Sequence, residues 1–459
     1  MMKDKITPLK CEEIKKSSAM TQMARAGGLA LVGFSGLVLA DGAMAQEAST
    51  PVASPASAFV FNTTLFLISG MVVMFMAAGF CMLEVGLVRS KNAATICLKN
   101  IALYSIAGIM VWVTGYNLIY GNAGTPGGFI GTFGFWGGFS TSTADEISTG
   151  YAASSDWYFQ MVFVATAASI VSGTLAERIK LFPFLIFVAI LTGFIYPIQA
   201  SWEWGKGWLD ANFGFSDFAG STLVHSTGGW AALAGAILLG PRTGKYVSGK
   251  IAPMPGSSLP LATLGVFILW LGWFGFNGGS QLALGTIDDA IAVARIFVNT
   301  NMAACSGVVT TILLTQLFFK KVDLTIVLNG AIGGLVAITA EPLAPQIWQA
   351  VLFGAMGGVI VTFSIPLLDK FKIDDVVGAI PAHLFCGILG TMVVPFSNGD
   401  ASFFGQFVGV AAIGAFVFAV SFVVWTILKM TLGIRASEED EMNGLDKTEL
   451  GLEAYPEFG

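Results

Sequence analysis

The only two histidines in this 459-residue chain both lie in copies of one short motif. The first copy spans Asp217–Gly229, with the sequence DFAGSTLVHSTGG, and contains His225. The second copy spans Asp375–Gly387, with the sequence DVVGAIPAHLFCG, and contains His383. Each copy has an Asp, a Gly three residues later, the His eight residues after the Asp and a second Gly four residues after the His. We interpret the motif as an internal repeat.

Imidazole rings in apolar segments can carry out several kinds of chemistry. An imidazole donates and accepts hydrogen bonds, so a pair of rings could pass a small polar solute along a pore. The rings could also relay protons, because the pKa of histidine lies near neutrality. Ligation of one haem is a third reading, although the bulky aromatic residues near the motif disfavour the wide cleft that a haem needs. The structural alternative is that each ring only bonds a neighbouring helix.

The composition indicates where these rings lie. Hydrophobic residues make up 55% of the chain, charged residues make up 11%, and the mean hydropathy is +0.75. This is more apolar matter than a soluble core can bury, so we expect an integral membrane protein. The chain has no basic patch for nucleic acid, and its five cysteines lack the spacing of a metal site.

The N-terminal residues 1–45 resemble a secretory signal peptide. Basic residues up to Arg25 precede the apolar run Ala26–Ala40, and Ala43-Met44-Ala45 provides a cleavage site with small residues. Cleavage after Ala45 would place the mature N-terminus outside the membrane. Residues 46–57 form a polar linker on that side. The alternative is an uncleaved first span, for which the apolar run is short.

The chain from residue 58 to residue 430 contains eleven apolar segments long enough to cross a membrane. We place them at residues 58–88, 94–120, 156–178, 182–202, 217–239, 257–278, 288–318, 323–341, 345–368, 375–396 and 402–430. Lys and Arg concentrate in every second loop, which marks those loops as cytoplasmic. The pattern predicts an all-α membrane domain with its N-terminus outside and a cytoplasmic C-terminal tail at residues 431–459.

The repeat acquires a direction from this topology. The motif copies lie in spans 5 and 10, which are an odd number of crossings apart and therefore run in opposite senses, so spans 1–5 and 6–10 form an inverted-topology repeat. Asp217 and Asp375 stand where they would cap the two helices. Eight residues of helix rise about 12 Å, against a bilayer half-thickness of roughly 15 Å. Both histidines are thus expected near the bilayer centre.

Aromatic motifs extend the evidence beyond the histidines. The sequence FQMVF at Phe159–Phe163 places two phenylalanines on one face of span 3, and span 6 ends with GWFGFNGGS at Gly272–Ser280. Together with GFCMLEVGLVRSKN at Gly79–Asn92, the two histidine motifs and the GLD...AY pattern at Gly444–Tyr455, these make the chain resemble the Amt/Mep/Rh family of ammonium transporters. The resemblance covers about residues 61–455.

The resemblance implies an outer site that recruits the cation. Trp204, Phe159 and Ser280 would form this site, with Trp202 as the alternative tryptophan. Asp217 would lie behind the site as its structural carboxylate. Aromatic faces attract cations, and a hydroxyl supplies an acceptor for an ammonium proton.

Below that site the resemblance implies a gate and a pore. Phe163 and Phe276 would form a stacked gate, and His225 and His383 would be the paired histidines of the pore. Asp375 matches the acidic position of span 10. The implied function is ammonium uptake, in which the cation loses a proton near the gate and ammonia passes the histidines.

The resemblance also implies partners and a location. We expect a homotrimer of eleven-span subunits in the plasma (inner) membrane, each subunit with its own pore, and a PII-type regulatory protein as a candidate partner at the cytoplasmic face. No enzymatic activity, cofactor or metal is expected. A membrane ammonium sensor with little transport is the main rival, and a bis-His haem protein is the second.

Overall fold

The computed structural model describes residues 53–121, 127–139 and 143–458. The expected signal peptide at residues 1–45 and most of the expected linker at residues 46–57 lie outside these ranges. The first helix begins at Pro55, because the Ser54 side chain accepts a hydrogen bond from the Ser57 backbone and proline is favoured in a first helical turn. It therefore starts slightly earlier than the apolar pattern predicts.

Within the described ranges a helix occupies each of the eleven positions predicted from the sequence. They are α1 (Pro55–Leu87), α2 (Ser90–Tyr120), α3 (Ala153–Thr174), α4 (Leu181–Ser201), α5 (Ser221–Leu239), α6 (Leu259–Gly279), α7 (Ile287–Phe319), α8 (Leu324–Thr339), α9 (Ile347–Lys370), α10 (Ile380–Phe396) and α11 (Phe403–Thr431). Eight have the length and composition of a membrane span, α8 and α10 are shorter apolar helices, and the 22-residue α3 is the eleventh. The predicted all-α membrane architecture is confirmed.

Short elements connect the helices. Helices at Thr143–Thr149, Trp208–Phe213 and Glu438–Asn443, and short turns at Asp446–Leu450 and Pro456–Phe458, lie between or after the spans. A hairpin of β1 (Tyr246–Val247) and β2 (Lys250–Ile251) follows α5, with Tyr246 opposite Ile251. Helix α3 is enclosed along most of its length, since every residue from Phe159 to Thr174 is buried. Its small Ala, Ser, Gly and Thr residues allow neighbours to approach from all sides.

Two pairs of equivalent helices cross in antiparallel directions, as an inverted repeat requires. In α5 and α10, the Thr222 and Thr391 hydroxyl groups are 2.7 Å apart. A Cβ atom at Gly387 would lie 2.3 Å from the carbonyl oxygen of Ser221. Equivalent helices α1 and α6 approach just as closely, because a Cβ atom at Gly265 would lie 2.4 Å from the backbone nitrogen of Leu83. Glycine is therefore needed where the two repeats meet.

The C-terminal tail, residues 431–458, lies against the loops that follow α1, α3 and α5, and we call this end of the bundle the tail face and the opposite end the far face. The backbone nitrogen of Leu445 donates to the Asn92 side chain at 3.0 Å. The Asp446 carboxylate accepts from the backbone nitrogens of Ala94 and Thr95 at 2.9 and 2.7 Å, at the start of α2. A carboxylate there is favoured by the free N–H groups of the helix.

A buried network of ion pairs joins the loops of the tail face. Arg242 donates from Nε and Nη2 to Asp374 at 2.8 and 2.9 Å, and its Nη1 lies 3.3 Å from Glu177, which also pairs with Arg89. Burial alone would raise the pKa of Asp374, but the hydrogen bonds of Arg242 and the charge of Arg178 hold that pKa below its usual value. The network therefore depends on a charged Asp374.

We predict that Arg242→Ala lowers the free energy of unfolding by about 3–5 kcal/mol, because it leaves two buried carboxylates without their partner. Thermal unfolding in detergent measures this. The matched control is Lys447→Ala, since Lys447 is 70% exposed and lies 3.8 Å from Glu453, and it should change the free energy by less than about 1 kcal/mol. Equal melting temperatures for both variants would contradict the prediction.

The pH dependence has a definite sign. Since the folded pKa of Asp374 is depressed, its stabilisation is complete above the ordinary aspartate pKa of about 4 and is lost as the pH falls below that value. The stability difference between wild type and Arg242→Ala should accordingly shrink on acidification.

Candidate functional site

The two histidine rings meet in the interior of the bundle. Their Nδ1 atoms are 3.2 Å apart, and the ring centroids are 5.3 Å apart with an interplanar angle of 24°. His225 is fully buried and His383 is 2% exposed. A hydrogen bond between two ring nitrogens requires one to donate and the other to accept, so the neutral pair shares one Nδ1 proton. The ring spacing leaves no room for a porphyrin between them.

The motif aspartates fix the backbone that carries the rings. The Asp217 carboxylate accepts hydrogen bonds at 2.7–3.0 Å from the four backbone nitrogens of residues 220–223. Gly220 has a φ of +103°, and α5 then begins with a wide π-type turn, Ser221–Ser226. Asp217 therefore caps α5 from a loop instead of standing as its first residue. Such wide turns are frequent at functional sites.

The second copy repeats this arrangement with fewer bonds. The Asp375 carboxylate accepts from the backbone nitrogen of Ile380 at 2.7 Å and from the Thr174 hydroxyl at 3.1 Å. Gly378 has a φ of +77°, and α10 begins with the π-type turn Ile380–Phe385. The first glycine of the motif thus supplies the left-handed backbone that the loop requires in both copies. The second glycine permits the crossing of the two helices described above.

Aromatic rings continue the line from His225 toward the far face. The ring centroid of Phe276 lies 5.3 Å from that of His225. Phe276 also stacks on Phe163, with a centroid separation of 3.9 Å and an interplanar angle of 18°. Phe163 in turn contacts Phe159 at 4.7 Å, as the i, i+4 spacing on α3 predicts. We call these five residues, Phe159, Phe163, Phe276, His225 and His383, the ring column. All five are buried.

The remaining residues of the expected outer site lie at the far end of the ring column. Trp204 is half-buried and packs edge-on against Phe163, with ring centroids 6.1 Å apart. Its indole nitrogen donates a hydrogen bond to the Asp217 carbonyl at 3.0 Å. Ser280 is half-buried and donates to the Phe276 carbonyl at 2.8 Å. The alternative tryptophan, Trp202, instead bonds the Phe129 carbonyl at 2.8 Å, away from the column. The structure thus brings Trp204 to the column.

Two cavities lie between His383 and the tail face. A small cavity, with about 10 Å³ open to the centre of a water molecule, is lined by His383, Phe80, Glu84 and residues of α3 and α8. A cleft of about 350 Å³ at the tail face is lined by Asp375, Arg242 and residues 253–256, which follow the β-hairpin. Both cavities share Asn329 and Val377 as lining residues. The two cavities therefore adjoin at these residues.

Two residues beside the column were not predicted from the sequence. Trp273 is fully buried and stacks on His225, with ring centroids 4.9 Å apart. Its indole nitrogen donates a hydrogen bond to the Thr339 hydroxyl at 2.8 Å. Its spacing of three residues from Phe276 on α6 was the available signal. Glu84 is 1% exposed near the end of α1, and a charge within an apolar helix was its signal.

Comparison with known proteins identifies relatives over most of the chain. The family model described as Ammonium Transporter Family matches residues 64–455. Ammonium transporter Amt2 of Archaeoglobus fulgidus is 40% identical over 422 residues, which cover 85% of this chain and 87% of the relative. Ammonium transporter Amt1 of Haloferax mediterranei is 36% identical, with 86% and 80% covered.

Solved structures give the same result. A protein described as Sensor Amt Protein superimposes with a TM-score of 0.79 at 32% identity, covering 86% of this chain and all of that chain. Mep2 of Candida albicans superimposes with a TM-score of 0.76 at 27% identity, covering 88% and 92%.

We predict that Asp217→Asn destabilises the protein by several kcal/mol, because the amide NH₂ would face backbone N–H groups that the carboxylate now accepts from. Thermal unfolding in detergent measures this loss. Asp210→Asn is the control, since Asp210 is partly exposed and lies 3.7 Å from Lys206, and it should stay close to wild type. A melting temperature for Asp217→Asn equal to that of the control would contradict the role of Asp217 as the cap of α5.

Proposed function

Because this chain belongs to the ammonium transporter family, we propose that it takes up ammonium across the plasma membrane along the ring column. The observation that carries the proposal is the direct contact of His225 and His383 in line with the stacked pair Phe163 and Phe276. Two buried polar rings in a membrane bundle need hydrogen-bonding partners. The Nε2 atom of His225 is buried and bonded to no residue in the described part of the chain. A small solute in the column would supply that bond.

The cation is recruited at Trp204, Phe159 and Ser280, at the far end of the column. Cation–π attraction contributes roughly 0.5–2 kcal/mol, and the Ser280 oxygen can accept an ammonium proton. The partial exposure of Trp204 and Ser280 supports access from solution at this end. These contacts favour a cation over water.

Ammonium loses a proton at the Phe163 and Phe276 gate. The free-energy cost of placing a charged group at the bilayer centre is about 3 to more than 10 kcal/mol. At pH 7, removing the proton from a protonated amine with a pKa of about 10.4 costs on the order of 5 kcal/mol. Removing it from the conjugate acid of a weaker base, such as ammonia, costs less. Since the rings of the column carry no fixed charge, deprotonation competes well with passage of the cation.

Ammonia then passes the histidines as a neutral molecule. The shared Nδ1 proton makes the outward-facing Nε2 atom of one ring a donor and that of the other an acceptor. Ammonia has N–H groups and a lone pair, so it can bond both kinds of nitrogen. The same rings can hold the proton that ammonium gives up.

The assembly and orientation follow the same family. We place the far face outside and the tail face in the cytoplasm, in agreement with the alternation of basic loops. Exposed apolar side chains on α1, α6 and α7, including Met71, Phe267 and Leu313, support contacts with lipid and with the other subunits of a homotrimer. A PII-type regulator would bind the tail face.

A sensor is the second candidate function, and the similarity to the Sensor Amt Protein favours keeping it. A sensor would bind ammonium at the outer site without comparable flux. Measuring binding and uptake on the same preparation separates the two functions.

We predict that proteoliposomes containing this protein take up ammonium and exclude potassium, because potassium has no proton to give up at the gate. Ammonium-evoked currents on a solid-supported membrane, with and without excess potassium, measure this. Protein-free liposomes are the control. Comparable potassium currents would rule out the deprotonation route.

We also predict that His225→Ala and His383→Ala each lower ammonium transport at least tenfold at equal protein content, since each removes one half of the hydrogen-bonded pair. Ser226→Ala is the control, because Ser226 bonds the Leu384 carbonyl at 3.3 Å beside the histidines and should retain most activity. Full activity in both histidine variants would refute the pathway.

A further inference from the structure

A buried carboxylate lies at the tail-face end of the ring column. Glu84 and His383 line the same small cavity, and Glu84 is 1% exposed. Its Oε2 atom accepts a hydrogen bond from the Ser172 hydroxyl at 2.7 Å. Its Oε1 atom is buried and has no hydrogen-bond partner among residues 53–121, 127–139 and 143–458. An unbonded carboxylate oxygen in such a place is costly and calls for an explanation.

The cavity between the two residues suits one water molecule. About 10 Å³ open to the centre of a water is near the lower limit for holding one. Glu84, His383, Asn329 and Ser169 are the polar residues among those that line it. A water there would have the polar partners that a buried water requires.

A buried cation balances the carboxylate. Lys99 on α2 is 1% exposed, donates to the Ser172 carbonyl at 2.9 Å and lies 4.6 Å from the centre of the Phe184 ring. Ser172 thus bonds both charged side chains, through its hydroxyl to Glu84 and through its carbonyl to Lys99. The titratable groups that face Glu84 are Lys99 and Cys97 on α2, Cys81 on α1 and His383 across the cavity.

We infer that Glu84 is the proton-relay residue at the inner end of the ring column. The inference rests on the proposed function. Ammonium gives up one proton to the histidine pair and becomes ammonia. His383 passes that proton through the cavity water to Oε1 of Glu84, which changes from carboxylate to carboxylic acid.

The proton then leaves Glu84 for solvent in the tail-face cleft, and the carboxylate returns. The cleft adjoins the cavity at Asn329 and Val377. Ser172 holds Oε2, so Oε1 is the oxygen that takes up and releases the proton. One proton and one ammonia thus arrive at the tail face for each ammonium ion that enters at the far face.

The test uses Glu84→Gln in proteoliposomes that contain a pH-sensitive dye, with current and luminal pH recorded after ammonium addition. Wild type should carry current and leave the luminal pH nearly unchanged, because ammonia and its proton enter together. The variant should lose at least nine-tenths of the current while the lumen becomes alkaline, because ammonia enters alone and the proton returns from the histidine pair to the outer solution. Glu146→Gln makes the same substitution at the far face, where Glu146 bonds the Ala153 backbone at 3.0 Å, and should behave as wild type.

Infrared difference spectra give a second readout that a structural role would not produce. On ammonium addition, wild type should show a carboxylic-acid band that is absent from Glu84→Gln. Should that variant not fold, Glu84→Asp replaces it, and its acid band should appear at a shifted frequency.

Several results would overturn the inference. Wild-type current in Glu84→Gln, loss of both current and ammonia entry in the folded variant, or no change in the acid band would each do so. Wild type that admits ammonia without current would also refute the relay while leaving the proposed function intact. Absence of ammonia entry in wild type would instead refute the proposed function itself.

Discussion

The hydrogen bond between His225 and His383 is the constraint that the rest of the molecule satisfies. A separation of 3.2 Å between two Nδ1 atoms requires two backbones to cross at close range in the bundle interior. Gly229 and Gly387 permit that crossing, because a Cβ atom at either would lie under 3.0 Å from the opposite helix. Two imidazolium ions could not share this geometry, so the contact also keeps the pair from becoming doubly charged.

Each half of the crossing is set by the loop before it. A helix that starts in the interior would leave its first backbone N–H groups unbonded, which is costly in an apolar region. The Asp217 carboxylate bonds four of them. The left-handed glycine before each π-type turn lets the chain reverse into the helix, so the Asp, Gly and His of the motif form one local unit.

The sequence allowed the eleven helices, the inverted repeat and the pairing of the histidines to be predicted. Those features follow from apolar length, loop charge and a repeat that contains both histidines. The wide turns could not be predicted, because hydrophobic periodicity does not distinguish a π-type turn from an α-helical one. The burial of Glu84 could not be predicted either, because it is a consequence of the close α1–α6 and α1–α3 packing, which no local pattern reports.

The placement of charge in the bundle explains how a membrane protein can contain so many ionisable groups around an uncharged path. Both oxygens of Asp217 are occupied by backbone N–H groups, two on each oxygen. A carboxylate oxygen accepts about two such bonds, so Asp217 has no free lone pair with which to bind a cation directly. Its charge can act on the Trp204 site only through space, while its geometry acts on His225 through the backbone. The five residues of the ring column include no carboxylate. Under the proposed function, the charge of Asp217 behind the mouth of the column and the absence of a carboxylate within the column together favour entry as the ion and passage as the neutral base.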